Sequence, residues 1–149
     1  MVKKVYLANT LFSESDVRQR LHELMEFKLN FPGLEIIGNH FEEKRDDKKI
    51  ISPISTFNKD TKEIVNCDIF IADLTNFDPS IMVQLGIAIA IKTKHIICIN
   101  SDKRLIDASN YDIPPYSIDH YVLGGILKYG KFVKSFKEAL NEIEEIFKK

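Results

Sequence analysis

Three short runs recur along the chain with amphipathic stretches between them: KVYLA at 4–8, DIFIA at 68–72 and HIICI at 95–99. Each is nearly continuous in apolar, β-branched and aromatic residues, the pattern of a strand covered on both faces. Strands of that kind need helices on both sides of the sheet, and alternation of strand with helix builds parallel sheets with right-handed crossovers. The expected fold is a single α/β domain over residues 1–149, a flavodoxin-like or Rossmann-like, doubly wound sheet of five parallel strands.

The segments between the runs fit that order. Ser13 and Ser15 can cap a helix carrying Val17, Leu21, Leu24 and Met25 at spacings of three and four, which Pro32 and Gly33 stop. A second strand is expected at 34–38, a charged loop at EEKRDDKK and a helix over 54–65. Asp78 followed by Pro79 is a strong helix start, and the helix should run to about Ile91. After a loop over 100–119, HYVLGGI offers a last short strand, and Ser135 with Glu138 opens a terminal helix lined by Phe136, Leu140, Ile143 and Phe147. Ligands of such folds bind beyond the carboxyl ends of the strands, so the loops at 9–12, 73–79 and 100–119 are the ones to watch.

At 149 residues, with 44% hydrophobic and 29% charged side chains, the chain can bury its own core without disulfides or metals. Lys and Arg number 21 against 22 Asp and Glu, so no global basic field exists to hold a polynucleotide. No segment approaches the roughly 18 apolar residues of a membrane span, and the amino terminus begins directly with a strand-like segment. A cytoplasmic protein is expected. Cys67 and Cys98 lie in or beside apolar runs without CxxC spacing and read as free core thiols.

Phosphate loops, zinc-ligand spacings, nucleophile elbows and GxGxxG are all missing from the sequence. His22, His40 and His95 read as surface or strand-end residues, while His120 sits beside a site loop. More informative are Asp60, Asp78 and Gln84. A glutamine inside IMVQLGIAIAI is an oddity, because burying an unpartnered amide costs on the order of 1–3 kcal/mol. It is either a rim residue that reaches water or a site residue.

The blocks VYLANTLFS, CDIFIADL, DPSIMVQLGIAIA, SDKR and DHYVLGGILKYGK, in this order and spacing, resemble the nucleoside 2-deoxyribosyltransferase family. In that family the third block carries a glutamate that attacks the anomeric carbon of deoxyribose; the position here is Gln84, followed by Leu85 and Gly86. The resemblance implies roles for other residues. Tyr6 and Phe12 match aromatics near the base pocket, Asn9 lies between them in the same block, Asp60 matches an aspartate that handles the leaving base, and Asp78 one that binds sugar hydroxyls. Asp119 stands where the family lends an asparagine to a neighbouring subunit, with Tyr121 in the matching aromatic place, and Ser80 stands where many relatives have glycine. The departures at Ser80 and Asp119 favour natural divergence over a single introduced change at Gln84.

The resemblance implies no cofactor and no metal, deoxynucleosides and free bases as small-molecule partners, and a homo-oligomer with shared sites. Three functions remain open. The chain is a transferase impaired by Gln84, a 2'-deoxynucleoside 5'-monophosphate glycosidase in which Ser80 receives the phosphate, or a nucleoside-binding relative without catalysis. Asp78 beside Ser80 would repel a phosphate dianion, which ranks the second lower.

Overall fold

The computed structural model describes residues 4–38, 52–103 and 118–148. Five strands, β1 (Lys4–Ala8), β2 (Glu35–Ile37), β3 (Ile69–Asp73), β4 (His95–Ile99) and β5 (Lys131–Val133), form one sheet in the order β2-β1-β3-β4-β5. Every neighbouring pair is parallel. The helices are α1 (Glu14–Asn30), α2 (Pro53–Val65), α3 (Pro79–Ala90), α4 (His120–Tyr129) and α5 (Phe136–Lys148). The expected doubly wound fold is therefore the observed one. The charged EEKRDDKK segment, His40 and most of the 100–119 loop lie outside the described residues.

Alternate residues of the central strands feed two separate cores. Tyr6, Ala8, Phe70, Ala72, Ile96 and Cys98 pack with Ile64, Ile81, Leu85, Ala88, Leu123 and Ile126 of α2, α3 and α4. On the other face Val5, Leu7, Ile69, Ile71, Ile97 and Ile99 pack with Phe27 of α1 and Ala139 and Ile143 of α5. Both faces are thus dry, which is what apolar residues at successive strand positions require. Cys98 is buried and Cys67 half-buried, both free, and burial pushes each thiol up to about 12.

Two expectations are corrected. HYVLGGI is not a strand but most of α4, and the last strand follows it at Lys131–Val133. Asp119 caps that helix, its carboxylate accepting from the Tyr121 amide at 2.9 Å, and Leu123 and Ile126, three residues apart, fall on one buried stripe. Gly125 is kept small by its neighbour, since a Cβ there would come within 3.0 Å of Ile89 Cδ1 on α3. Gly125 thus marks close helix packing, while a Cβ on Gly124 would meet open space.

The second correction concerns the face of α1. Leu21 and Met25 are exposed, while Arg20, Glu23 and Phe27 are buried. The capping box is formed, Ser13 accepting from the Asp16 amide at 3.2 Å and Asp16 from the Ser13 amide at 2.9 Å. The helix is then seated by Phe27, whose ring meets Phe136 edge-on at 5.6 Å, and that rotation carries two charged residues inward.

The junction of α4 with β5 leaves no room for a side chain. A Cβ on Gly130 would lie 2.5 Å from the Ile96 carbonyl oxygen, a backbone atom that cannot swing aside. Gly130→Ala should lower stability by about 1–3 kcal/mol as strand and helix are pushed apart. Urea unfolding of the two proteins checks this, and an unchanged midpoint would refute it.

Candidate functional site

The chain leaves β1 toward β2 on one side and, after β3, builds outward through β4 and β5 on the other. The crevice between the carboxyl ends of β1 and β3 is therefore the topological switch point where ligands of such sheets bind. Two loops meet there, residues 9–13 and 74–78.

Two hydrogen bonds tie these loops together. Thr10 Oγ1 donates to Asp78 Oδ2 at 3.3 Å in a buried position, and Asn76 Nδ2 donates to Asp16 Oδ1 at 3.3 Å nearer the surface. The second oxygen of Asp16 accepts from the Phe12 and Ser13 amides at 3.1 and 2.9 Å. Asp78 Oδ1 accepts from the Ser80 amide at 2.9 Å, so this aspartate caps α3 while facing the crevice loop. Pro79 occupies the first helical turn, as Asp78-Pro79 predicts. A further tie runs to the end of β4, where Ser101 N donates to Thr75 Oγ1 at 3.0 Å.

Beneath the loops lies a polar layer that sequence reading missed. Arg20 and Glu23 are each 1% exposed. Gln19 Nε2 donates to one Glu23 oxygen at 3.1 Å and Asn9 Nδ2 donates to the other. Burial raises the Glu23 pKa, opposed by Gln19, helped by the nearby Asp73 charge, and opposed again by Arg20 and Asn9. Burial likewise loosens the proton of Arg20, whose Nη2 donates to the Gly38 carbonyl at 3.5 Å. Nothing in the one-dimensional pattern signals this layer, because Arg and Glu on a helix are ordinarily solvated.

The candidate residues divide into groups. Asn9, Phe12, Asp78 and Ser80 lie on the two tied loops and the first turn of α3. Gln84 is half-buried further along α3, beside the stripe of Ile81, Leu85 and Ala88 that packs on the sheet. Asp60 is half-buried on α2, which packs against α3. Its charge reaches Tyr6: burial first, then Asp60 and Glu63, raise the Tyr6 hydroxyl far above its ordinary value. Tyr6 itself is a core residue, stacked on Phe70 at 5.6 Å and closed over by Gly38, where a Cβ would meet its ring at 2.9 Å. Gly38 is accordingly in the left-handed region at φ 79°.

Asp119 and Tyr121 stand on α4, the former spent on its own helix cap, the latter 91% exposed. His120 is exposed at the first position of that helix. Among the described residues no three His, Cys, Asp or Glu side chains converge as a metal-holding group, and no helix is long and apolar enough to cross a membrane.

The family model described as nucleoside 2-deoxyribosyltransferase matches residues 5–142, and the chain belongs to that family. Solved structures of similar fold include a conserved protein from Enterococcus faecalis, at TM-score 0.82 and 20% identity, covering 97% of this chain and 99% of that one. The 2-desoxiribosyltransferase from Leishmania mexicana superposes at TM-score 0.63 with 18% identity, over 96% of this chain and 97% of that one. The CMP N-glycosidase of Clostridium botulinum gives TM-score 0.57 and 21% identity over 97% and 99% of the two chains. No curated protein matches the chain in sequence.

The buried Glu23 makes a testable contribution to stability. Its folded pKa is raised, so the folded state holds that proton more tightly than the unfolded one, and the carboxylate costs stability as pH rises through the folded pKa. Glu23→Gln removes the titration, so its melting temperature relative to the unaltered protein should climb from pH 5 to pH 8. Melting curves of both proteins across that range give the difference. A flat or falling difference would show that Glu23 is not held against its ionised form.

Proposed function

We propose that this protein binds 2'-deoxynucleosides and free nucleobases at the switch-point crevice and is a deoxyribosyl-transfer enzyme weakened at its nucleophile. The observation that carries the reading is the third family block mounted on α3, with Asp78 at the helix cap and Gln84 six residues on, on the helix that packs against α2, which carries Asp60. Membership of the deoxyribosyltransferase family supports it.

In the transfer, a carboxylate at position 84 forms a bond to C1' of deoxyribose as the C1'–N bond to the base breaks. The departing base takes a proton by way of Asp60, while Asp78 accepts hydrogen bonds from sugar hydroxyls. A second base then attacks C1' and releases the carboxylate. Gln84 has the shape of glutamate without its charge, so it is a poor nucleophile and stabilises an oxocarbenium-like transition state weakly. Binding survives that exchange better than catalysis does.

The glycosidase alternative rests on Ser80 in the first turn of α3, a place where phosphate can be held. Here the Ser80 amide is already used by Asp78, whose charge opposes a dianion. Products from deoxyinosine plus adenine separate the readings. Transferase gives deoxyadenosine, glycosidase requires a 5'-phosphate and releases sugar phosphate, and a pure binder gives neither.

We also propose self-association. Ile118, Leu123 and Ile126 are satisfied within the subunit's own core, so the apolar character of that segment does not itself demand a partner. The outward side of α3 and α4 is the better candidate, with Val83, Ile91, Leu127 and Tyr121 exposed on helices flanking the site. Light scattering of the unaltered protein at micromolar concentration should return at least a dimer, and Leu127→Asp should shift it toward the monomer. A monomer mass from the unaltered protein would remove the shared-site scheme.

The chemistry is tested at Gln84. Gln84→Glu preserves volume and supplies the charge, and base exchange on deoxynucleosides should rise at least about a hundredfold, a barrier change of roughly 2.7 kcal/mol. Ribonucleosides should gain far less, since a 2'-hydroxyl destabilises the developing cation. A folded Gln84→Glu protein that binds deoxynucleoside without exchanging or hydrolysing it would establish the binding-protein reading instead.

A further inference from the structure

The two tied loops each present one aromatic side chain that the core does not use. Phe12 is 75% exposed and lies between Thr10 and Asp16; Phe77 is 48% exposed and lies between Asn76 and Asp78. Those flanking residues are the partners in the two cross-loop hydrogen bonds, Thr10 with Asp78 and Asn76 with Asp16. The pair of bonds therefore fixes the backbone on either side of both phenylalanines and holds them on opposite loops of one crevice. Neither ring belongs to the stacked or edge-on pairs among the described residues, which join Tyr6 to Phe70 and Phe27, Phe31, Phe136 and Phe147 to one another.

Phe77 is also held in an unfavourable backbone state. Its φ is 51°, in the left-handed region, with its amide donating to the Leu74 carbonyl at 3.1 Å. A bulky residue there is strained, and glycine or asparagine is the ordinary occupant. A large apolar side chain that is strained, half in solvent and next to the α3 cap contributes little to the fold at that place. Strained residues of this kind cluster at active sites and ligand clamps.

We infer that Phe77 is a second stacking wall for the planar nucleobase, opposite Phe12, and that Asp16 is the positioning residue that keeps the two walls in register. The inference rests on the nucleoside reading above and adds to it a side chain that the family's motif does not mark. Aromatic faces recognise a base by its π surface and tolerate its identity, so this slot confers affinity for bases in general.

The probe is 2-aminopurine, as free base and as 2'-deoxyriboside, whose fluorescence is quenched on stacking. The unaltered protein should quench it on binding, Phe77→Ala should weaken binding roughly tenfold, and Phe77→Tyr should retain it. Phe77→Gly should lose binding as Phe77→Ala does yet melt at a higher temperature, because glycine relieves the left-handed backbone. Asp16→Ala should weaken binding through the same slot. Equal affinity of Phe77→Ala and the unaltered protein would overturn the inference and leave the nucleoside reading standing. Loss of binding together with a fall in mass by light scattering would overturn it in favour of a subunit contact. Failure of the unaltered protein to bind either probe or deoxyinosine would remove the nucleoside reading and the inference together.

Discussion

Everything in this molecule follows from a sheet that must be dry on both faces. A parallel strand between two helical layers has no solvent side, so every residue of β1, β3 and β4 except Lys4, Asp73 and His95 at the strand ends enters one core or the other, and only small or apolar side chains and one tyrosine are found there. Polar chemistry is expelled to the strand ends. It collects where the sheet changes winding direction, because there alone two adjacent carboxyl-end loops diverge and leave a crevice between them.

The crevice is assembled from loops, yet its loops are not independent. Asp78 joins helix capping to a buried bond with Thr10, and Asp16 joins the capping box of α1 to Asn76. Each carboxylate thus couples a helix start to the opposite loop, so the geometry of the site is inherited from the rigid elements behind it. The buried Glu23 and Arg20 extend the same arrangement below, with Asn9 bonded to Glu23 from the end of β1. Buried charge of this kind is costly, and its hydrogen-bond partners here are neutral groups, Gln19 and Asn9 for Glu23 and the Gly38 carbonyl for Arg20.

The legible and illegible parts of the sequence divide on physical grounds. KVYLA and HIICI have the observed bounds of β1 and β4 because a doubly covered strand leaves a continuous apolar run, and Asp78-Pro79 marks α3 because capping and the missing proline amide are local chemistry. HYVLGGI misleads because short β-branched and glycine content imitates a strand, while the features that decide for helix are the Asp119 cap and the tight approach of Gly125 to Ile89. The inward face of α1 is hidden for the opposite reason. Leu21 and Met25 look like core, but the helix is rotated by Phe27 and its caps, and tertiary packing overrides a weak apolar pattern. Of the candidate site, Asp78 could be found by its cap; the links from Asp16 to Asn76 and from Glu23 to Asn9 could not, since they join residues distant in sequence or on different elements.

On the proposed reading, Gln84 gains meaning from the carboxylates carried by its own helix and by the elements beside it. Asp78 stands at the α3 cap, Asp60 on the neighbouring helix, Asp73 at the end of β3 and the buried Glu23 on α1, whose pKa is raised by burial and by the Asp73 charge. A glutamate in position 84 adds one more negative charge, which is worth bearing only where it is discharged by forming a bond to a developing cation. A glutamine keeps the side-chain volume and withdraws the charge, so on that reading the shape of the crevice is retained while the electrostatic burden of a carboxylate is removed. On the proposed reading a single neutral isostere separates recognition from reaction, because Gln84 stands six residues along α3 from the Asp78 cap and its exchange leaves both Asp78 and the Asp60 side chain on α2 unaltered.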